Sequence, residues 1–409
     1  MTYTDDSTDA SAADAAIPPV QDFATDWDFN DPAWVNDPFP IWADLRDRCP
    51  MGHSERFNEG VWLPLHYDDI VGIANDPQTF SNVHHGIRRG GTVDRGYFPP
   101  INSDPPEHLD IRRTLLPFFA PKRIESWRSH IAADCEARAA EIAERGYGDA
   151  AVEYSQHIPV GAIASILGID PADGDQFRAW IFDILAAGPN DGAVMARAIT
   201  EVRDYMATVM AARRAEPGDD LISHLVAAEM GGEPLPDHLI ERMLVLQLVA
   251  GIDTTWSSIG AALWHLACHD DDRRRLAAAP ELLPRAMEEF LRAYAPVNVA
   301  RRVTVDTEVN GVEMRAGDHV MMTFPIACRD PQRFDRANDV VIDRAENRHV
   351  AFGAGIHRCL GSNLARLEME IALETWLRHI PEYSIAPGAE VTWSTGQIRG
   401  PRSVPIVVG

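Results

Sequence analysis

The pattern of apolar and polar positions along the chain is mostly helical. From Pro236 to Cys268 it reads PDHLIERMLVLQLVAGIDTTWSSIGAALWHLAC, apolar on nearly every side, which predicts a long helix at the centre of the core. Ala279–Ala293 and Asn363–His379 show the three-to-four spacing of amphipathic helices, and Leu109–Phe119 and Pro121–Arg145 read the same way. Short β-type runs predict strands at Val61–Leu65, Arg302–Val309 with an Asn310-Gly311 turn, His319–Met322 and Ser403–Val408. No long Ser/Gly/Pro tract, charge run or fixed-period repeat divides the chain after Phe23. The expected fold class is therefore mainly α with small peripheral β-sheets, in a single domain.

The first stretch is different. Met1 to about Val20 is rich in Asp, Ser, Thr and Ala and has no aromatic residue after Tyr3, which predicts a disordered acidic tail over 1–22 and an ordered domain over 23–409. There is no basic start followed by an apolar run, and no run of about 18 apolar residues, so a cytoplasmic protein without a membrane anchor is expected. The net charge of −25, from 37 basic and 62 acidic residues, argues against nucleic acid as a partner, since that surface must be cationic. The cysteines Cys49, Cys135, Cys268, Cys328 and Cys359 are far apart, odd in number and without a CxxC pair, which argues against a disulfide framework or a structural zinc site. A cysteine that does chemistry here does so alone or with a cofactor.

One cysteine stands in an unusual frame. Residues 352–361 read FGAGIHRCLG, with three glycines around Cys359 at the entrance to an amphipathic helix. Glycine permits close approach of a flat partner, and helix dipoles and backbone N–H groups favour an ionised thiol. A structural cysteine in a glycine loop is the other reading of a lone cysteine. The whole string, however, resembles the FxxGxxxCxG haem-binding signature of the cytochrome P450 family. The resemblance implies a P450 fold over the whole domain, haem b as cofactor, Cys359 as the axial iron ligand, and Phe352, Gly353, His357 and Gly361 around the haem.

Other segments stand in the order that family shows. Glu289 and Arg292, three apart on one helical face, resemble its structural ExxR pair. His108 and Arg112, four apart after Asp104-Pro105-Pro106, resemble its HxxxR segment, which with Arg301 and His357 implies a hold on the haem propionates; Arg302 is the alternative to Arg301. Ala250-Gly251-Ile252-Asp253-Thr254-Thr255 resembles the AGxDTT oxygen-activation motif. Small residues in mid-helix also suit simple packing, but Thr254 can bond back to the carbonyl of Ala250 and loosen the helix. The resemblance implies that Asp253 and Thr254 deliver protons while O2 is activated.

The activity this implies is a monooxygenase that takes two external electrons and inserts one oxygen atom into a mainly apolar small organic substrate. A peroxide-using enzyme, a desaturating or coupling enzyme, and a haem sensor are the rival readings; the acid–alcohol pair favours the monooxygenase. The expected pocket comprises Tyr97, Phe98, Phe182, Leu246, Val249, Val297, Val299 and Ile398, with His84, His85, Arg88, Arg89 and Arg95 nearby in the chain. Ferredoxin and ferredoxin reductase are the implied donors, docking on Arg112, Arg113, Lys122, Arg123, Arg344, Arg348 and Arg358. One departure is visible. RFDRANDVVIDR places Asp339 or Val340 where the family has the arginine that completes the ExxR triad, leaving Arg333 or Arg336 as the substitute.

Overall fold

The computed structural model describes residues 18–57, 60–83, 87, 98–169, 173, 176–177, 179–180, 183–184 and 192–409. Most of the expected 1–22 tail, and Tyr97, Phe182, His84, His85, Arg88, Arg89 and Arg95, lie outside them. Seven helices frame the interior: α1 (Glu107–Leu115), α2 (Arg128–Arg145), α3 (His157–Leu167), α4 (Gly192–Ala215), α5 (Asp237–Cys268), α6 (Leu283–Ala293) and α7 (Ser362–His379). Helix α5 packs against α3, α4 and α7, and is buried along most of its length. This is what an all-round apolar sequence requires.

The helical boundaries depart from expectation where local chemistry intervenes. The stretch 121–145 splits into Pro121–Glu125 and α2, because the Ser126 hydroxyl donates to the Arg123 carbonyl at 2.6 Å and competes with the backbone ladder. The stretch 279–293 begins with a tight turn over Pro280–Leu282, and α6 opens with Pro284 in its first turn.

Five strands form one mixed sheet: β1 (Met51–Ser54), β2 (Val61–Pro64), β3 (Phe80–Ser81), β4 (Asn298–Val303) and β5 (His319–Thr323), in the order β1-β2-β5-β4-β3. The expected strand 302–309 instead divides: β4 starts at Asn298, and Thr307–Val309 pairs with Val312–Met314. Their turn has Asn310 at φ 51° and Gly311 at φ 78°, the twin left-handed residues of a tight hairpin. The C-terminal run divides likewise into β6 (Pro401–Ser403) and β7 (Pro405–Val408). The larger apolar cluster surrounds α5, while Trp27, Trp34, Trp42 and Phe57 form a smaller one against Leu63, Ala300 and Met321 of the sheet.

Candidate functional site

The glycine-framed loop is tied before it reaches α7. Gly353 N–H donates to the Val350 carbonyl at 2.8 Å, Arg358 N–H to Gly355 at 3.1 Å, and Cys359 N–H to Phe352 at 2.8 Å. Gly353 and Gly355 have φ of 72° and 67°, and a Cβ on Gly355 would lie 2.1 Å from the Ala74 carbonyl oxygen. No other residue fits there. Cys359 is exposed, yet burial among protein atoms is the main cause that raises its thiol pKa. Against burial act the Gly361 N–H, then the charges of Arg112, Arg358 and Arg366.

Beside the loop, the His108 and His357 rings lie 4.2 Å apart, and Arg112 donates to the Arg358 carbonyl at 2.5 Å. Burial, then the Arg112 charge, pushes His108 down to about 4. Burial also lowers Arg301 to about 9, with Asp104 opposing; Asp104 acts in the same sense on His108. The choice of Arg301 over Arg302 follows from register: Arg301 is buried while Arg302 points outward. His108 is fully buried with neither ring nitrogen hydrogen-bonded, and the buried Arg301 donates to the neighbouring Ala300 carbonyl. Buried donors of this kind fit an anionic group such as a propionate.

Helix α5 contributes the third wall of candidates. Thr254 donates to the Ala250 carbonyl at 3.0 Å, as its place in the motif predicts, but the helix stays α-helical through this turn. Ala250 is exposed although the residues around it are largely buried. A Cβ on Gly251 would meet Ile163 of α3 at 2.8 Å. Among the expected pocket residues, Leu246 is 8% exposed, Phe98, Val249, Val297, Val299 and Ile398 are half-buried, and Val297 bridges to Ile398.

Two long-range partners were missed by sequence reasoning. Arg402 of β6 pairs with Asp253 at 2.6 Å and stacks 4.4 Å from the Trp256 ring centre. Gly400 makes this approach possible, since a Cβ there would lie 2.2 Å from that of Ser257. Glu368 of α7 is fully buried without a well-formed hydrogen bond, and burial pushes it up to about 8 against the effect of Thr255. No spacing in the sequence marks either residue.

The Glu289–Arg292 pair is completely buried and bidentate, at 2.8 Å for both contacts. Arg292 also donates to the carbonyls of Cys328, Ala337 and Asp339. The expected substitutes do not complete the triad. Arg333 stacks on Tyr67, and Arg336 is exposed and binds Asp339. Arg344 reaches Glu289 instead, at 2.9 Å, with Val341 N–H at 2.8 Å and Asn347 at 3.2 Å. Burial pushes Glu289 up, but Arg292 and these donors outweigh it and leave the carboxyl lowered. Of the expected docking residues, Arg344 is thus held on Glu289, Arg123 binds Asp219 and Arg113 binds Asp110; Arg113, Lys122, Arg348 and Arg358 are exposed.

This fold, with a glycine-framed cysteine beside buried cationic donors and an acid–alcohol pair on the central helix, has matching relatives. The family model described as Cytochrome P450 matches residues 179–381. The chain is 31% identical over 377 residues to the mycinamicin IV hydroxylase/epoxidase of Micromonospora griseorubida, covering 90% of this chain and 94% of that one. It is 33% identical over 360 residues to the steroid C26-monooxygenase of Mycolicibacterium smegmatis, covering 86% and 88%. The crystal structure of CYP109E1 from Bacillus megaterium in complex with testosterone superposes with a TM-score of 0.82 at 30% identity, covering 91% and 99%. The chain belongs to the cytochrome P450 family and is a haem-iron monooxygenase of that family.

Proposed function

We propose that Cys359 would hold a haem b through its thiolate, and that the enzyme inserts one oxygen atom from O2 into a mainly apolar small organic molecule. The observation that carries this is an exposed Cys359 in a glycine-framed loop, with the Gly361 N–H directed at its sulfur. Haem with a thiolate ligand supplies the electron-rich iron that favours O–O cleavage. His108, Arg112, Arg301 and His357 would hold its propionates. Thr254, anchored on the Ala250 carbonyl, and Asp253, paired with Arg402, would deliver the protons that oxygen activation at the bound haem requires. Half-buried Val249, Val297, Val299 and Ile398 exclude water from the substrate.

The substrate class is apolar and of steroid or macrolide size, the compounds named for the relatives above. Electrons come from a ferredoxin and its reductase, which meet exposed Arg113, Lys122, Arg348 and Arg358, and the enzyme works in the cytoplasm. No helix among the described residues is long and apolar enough to cross a membrane. The test is the reduced, carbon monoxide-bound spectrum of the haem-loaded protein. A band near ~450 nm is expected for thiolate ligation, and a band near ~420 nm in folded protein overturns the assignment of Cys359.

A further inference from the structure

A second ion cluster lies one residue from the Glu289 anchor. Glu288 accepts Nε and Nη2 of Arg366 at 2.6 and 2.9 Å, and Nε2 of His349 at 2.9 Å. Consecutive helical residues point about 100° apart, so the two glutamates of α6 hold different partners. Burial pushes Glu288 up, but Arg366 and then His349 prevail and keep it at about 2. The cluster grips the start of the cysteine loop through two contacts. His349 Nδ1 accepts the Ala351 N–H at 3.2 Å. The Arg366 guanidinium, two turns beyond Cys359 on α7, lies 4.5 Å from the Phe352 ring centre. Phe352 in turn accepts the Cys359 N–H at 2.8 Å. The Arg366 and Glu288 side chains are only 29% and 28% exposed, so their charges are incompletely screened by water.

We infer that Arg366, held by Glu288 and His349, is a positioning residue for the haem iron: its charge raises the iron's reduction potential, and its stacking on Phe352 keeps the loop shaped around Cys359. The inference rests on the reading of Cys359 as the iron ligand. A nearby cation favours the more electron-rich reduced iron, and the Glu288 carboxylate opposes it. Removing one charge or the other therefore moves the potential in opposite directions. A loss of packing alone has no reason to reverse sign.

The experiment is a spectroelectrochemical titration of the haem-loaded parent, Glu288→Gln, Arg366→Gln and the double variant, with the carbon monoxide spectrum of each. Arg366→Gln is expected to lower the potential, Glu288→Gln to raise it, and the double variant to return toward the parent. Arg366→Lys keeps the charge, so it stays near the parent potential while its fraction absorbing near ~420 nm grows with the lost stacking. Shifts of the same sign in both single variants, or none in either, overturn the inference. If Arg366→Gln does not hold haem, the comparison passes to Arg366→Lys and Glu288→Gln, and equal shifts overturn it. A parent without the band near ~450 nm strikes the ligand assignment itself, whereas a parent with that band and coincident potentials strikes this inference alone.

Discussion

Glu289 on α6 and Glu368 on α7 are both wholly removed from solvent, yet their chemistry runs in opposite directions. Glu289 is met by Arg292, Arg344, Asn347 and the Val341 N–H, and its carboxyl is lowered. Glu368 faces Thr255 without a well-formed hydrogen bond and rises to about 8. Burial penalises charge equally in principle, so the donors supplied by the surroundings decide which form persists. At the Glu289 anchor the chain keeps a charge and ties it through Arg292 to the carbonyls of two segments, at Cys328 and at Ala337 and Asp339. Between α5 and α7 it keeps a neutral acid facing Thr255.

Breaking the satisfied side has the largest expected effect. Arg292→Ala leaves the Glu289 charge buried and removes the donors to the Cys328, Ala337 and Asp339 carbonyls. It should cost about 3–5 kcal/mol and abolish haem uptake, read by denaturant unfolding and by haem content. A stable, haem-binding Arg292→Ala protein would show that the anchor is dispensable.

The unsatisfied side is sharpened by Glu368→Gln. In the folded protein Glu368 keeps its proton up to about 8, whereas the unfolded chain releases it in the ordinary carboxylate range. Unfolding then releases a proton, so rising pH favours the unfolded state. Stability from this group is complete below the unfolded pKa, declines from there upward, and is lost once pH passes the folded value. The Gln variant should lack that decline and gain roughly 3–5 kcal/mol over the parent near the upper end of the window. Parallel stability–pH curves for parent and variant would refute the neutral acid.

The smallest effect tests one donor. Arg344→Ala should cost about 1–3 kcal/mol. Glu289 has the opposite linkage: its lowered pKa stabilises the fold above the unfolded value, and this is lost as pH falls through the folded one. Removing Arg344 brings the folded pKa back up, so acid unfolding should begin at a higher pH. An unmoved acid midpoint would place Arg344 outside the triad.

What the sequence by itself determined was local. The glycine frame of Cys359, the back-bonded turn at Thr254, the Glu289–Arg292 face and the long central helix are written in residues a few positions apart, and the physics that makes them acts over the same range. Even the departure at Asp339 was visible as a gap. Its remedy was not, because Arg344 reaches Glu289 across 55 residues and competes with nearer arginines that turn outward or stack on Tyr67. The Asp253–Arg402 pair depends on Gly400 pressing against Ser257, and the neutral Glu368 on the packing of α7 against α5. Those outcomes were decided by tertiary structure. Long-range pairing and the desolvation of a carboxyl depend on which segments meet, and no local spacing encodes that meeting.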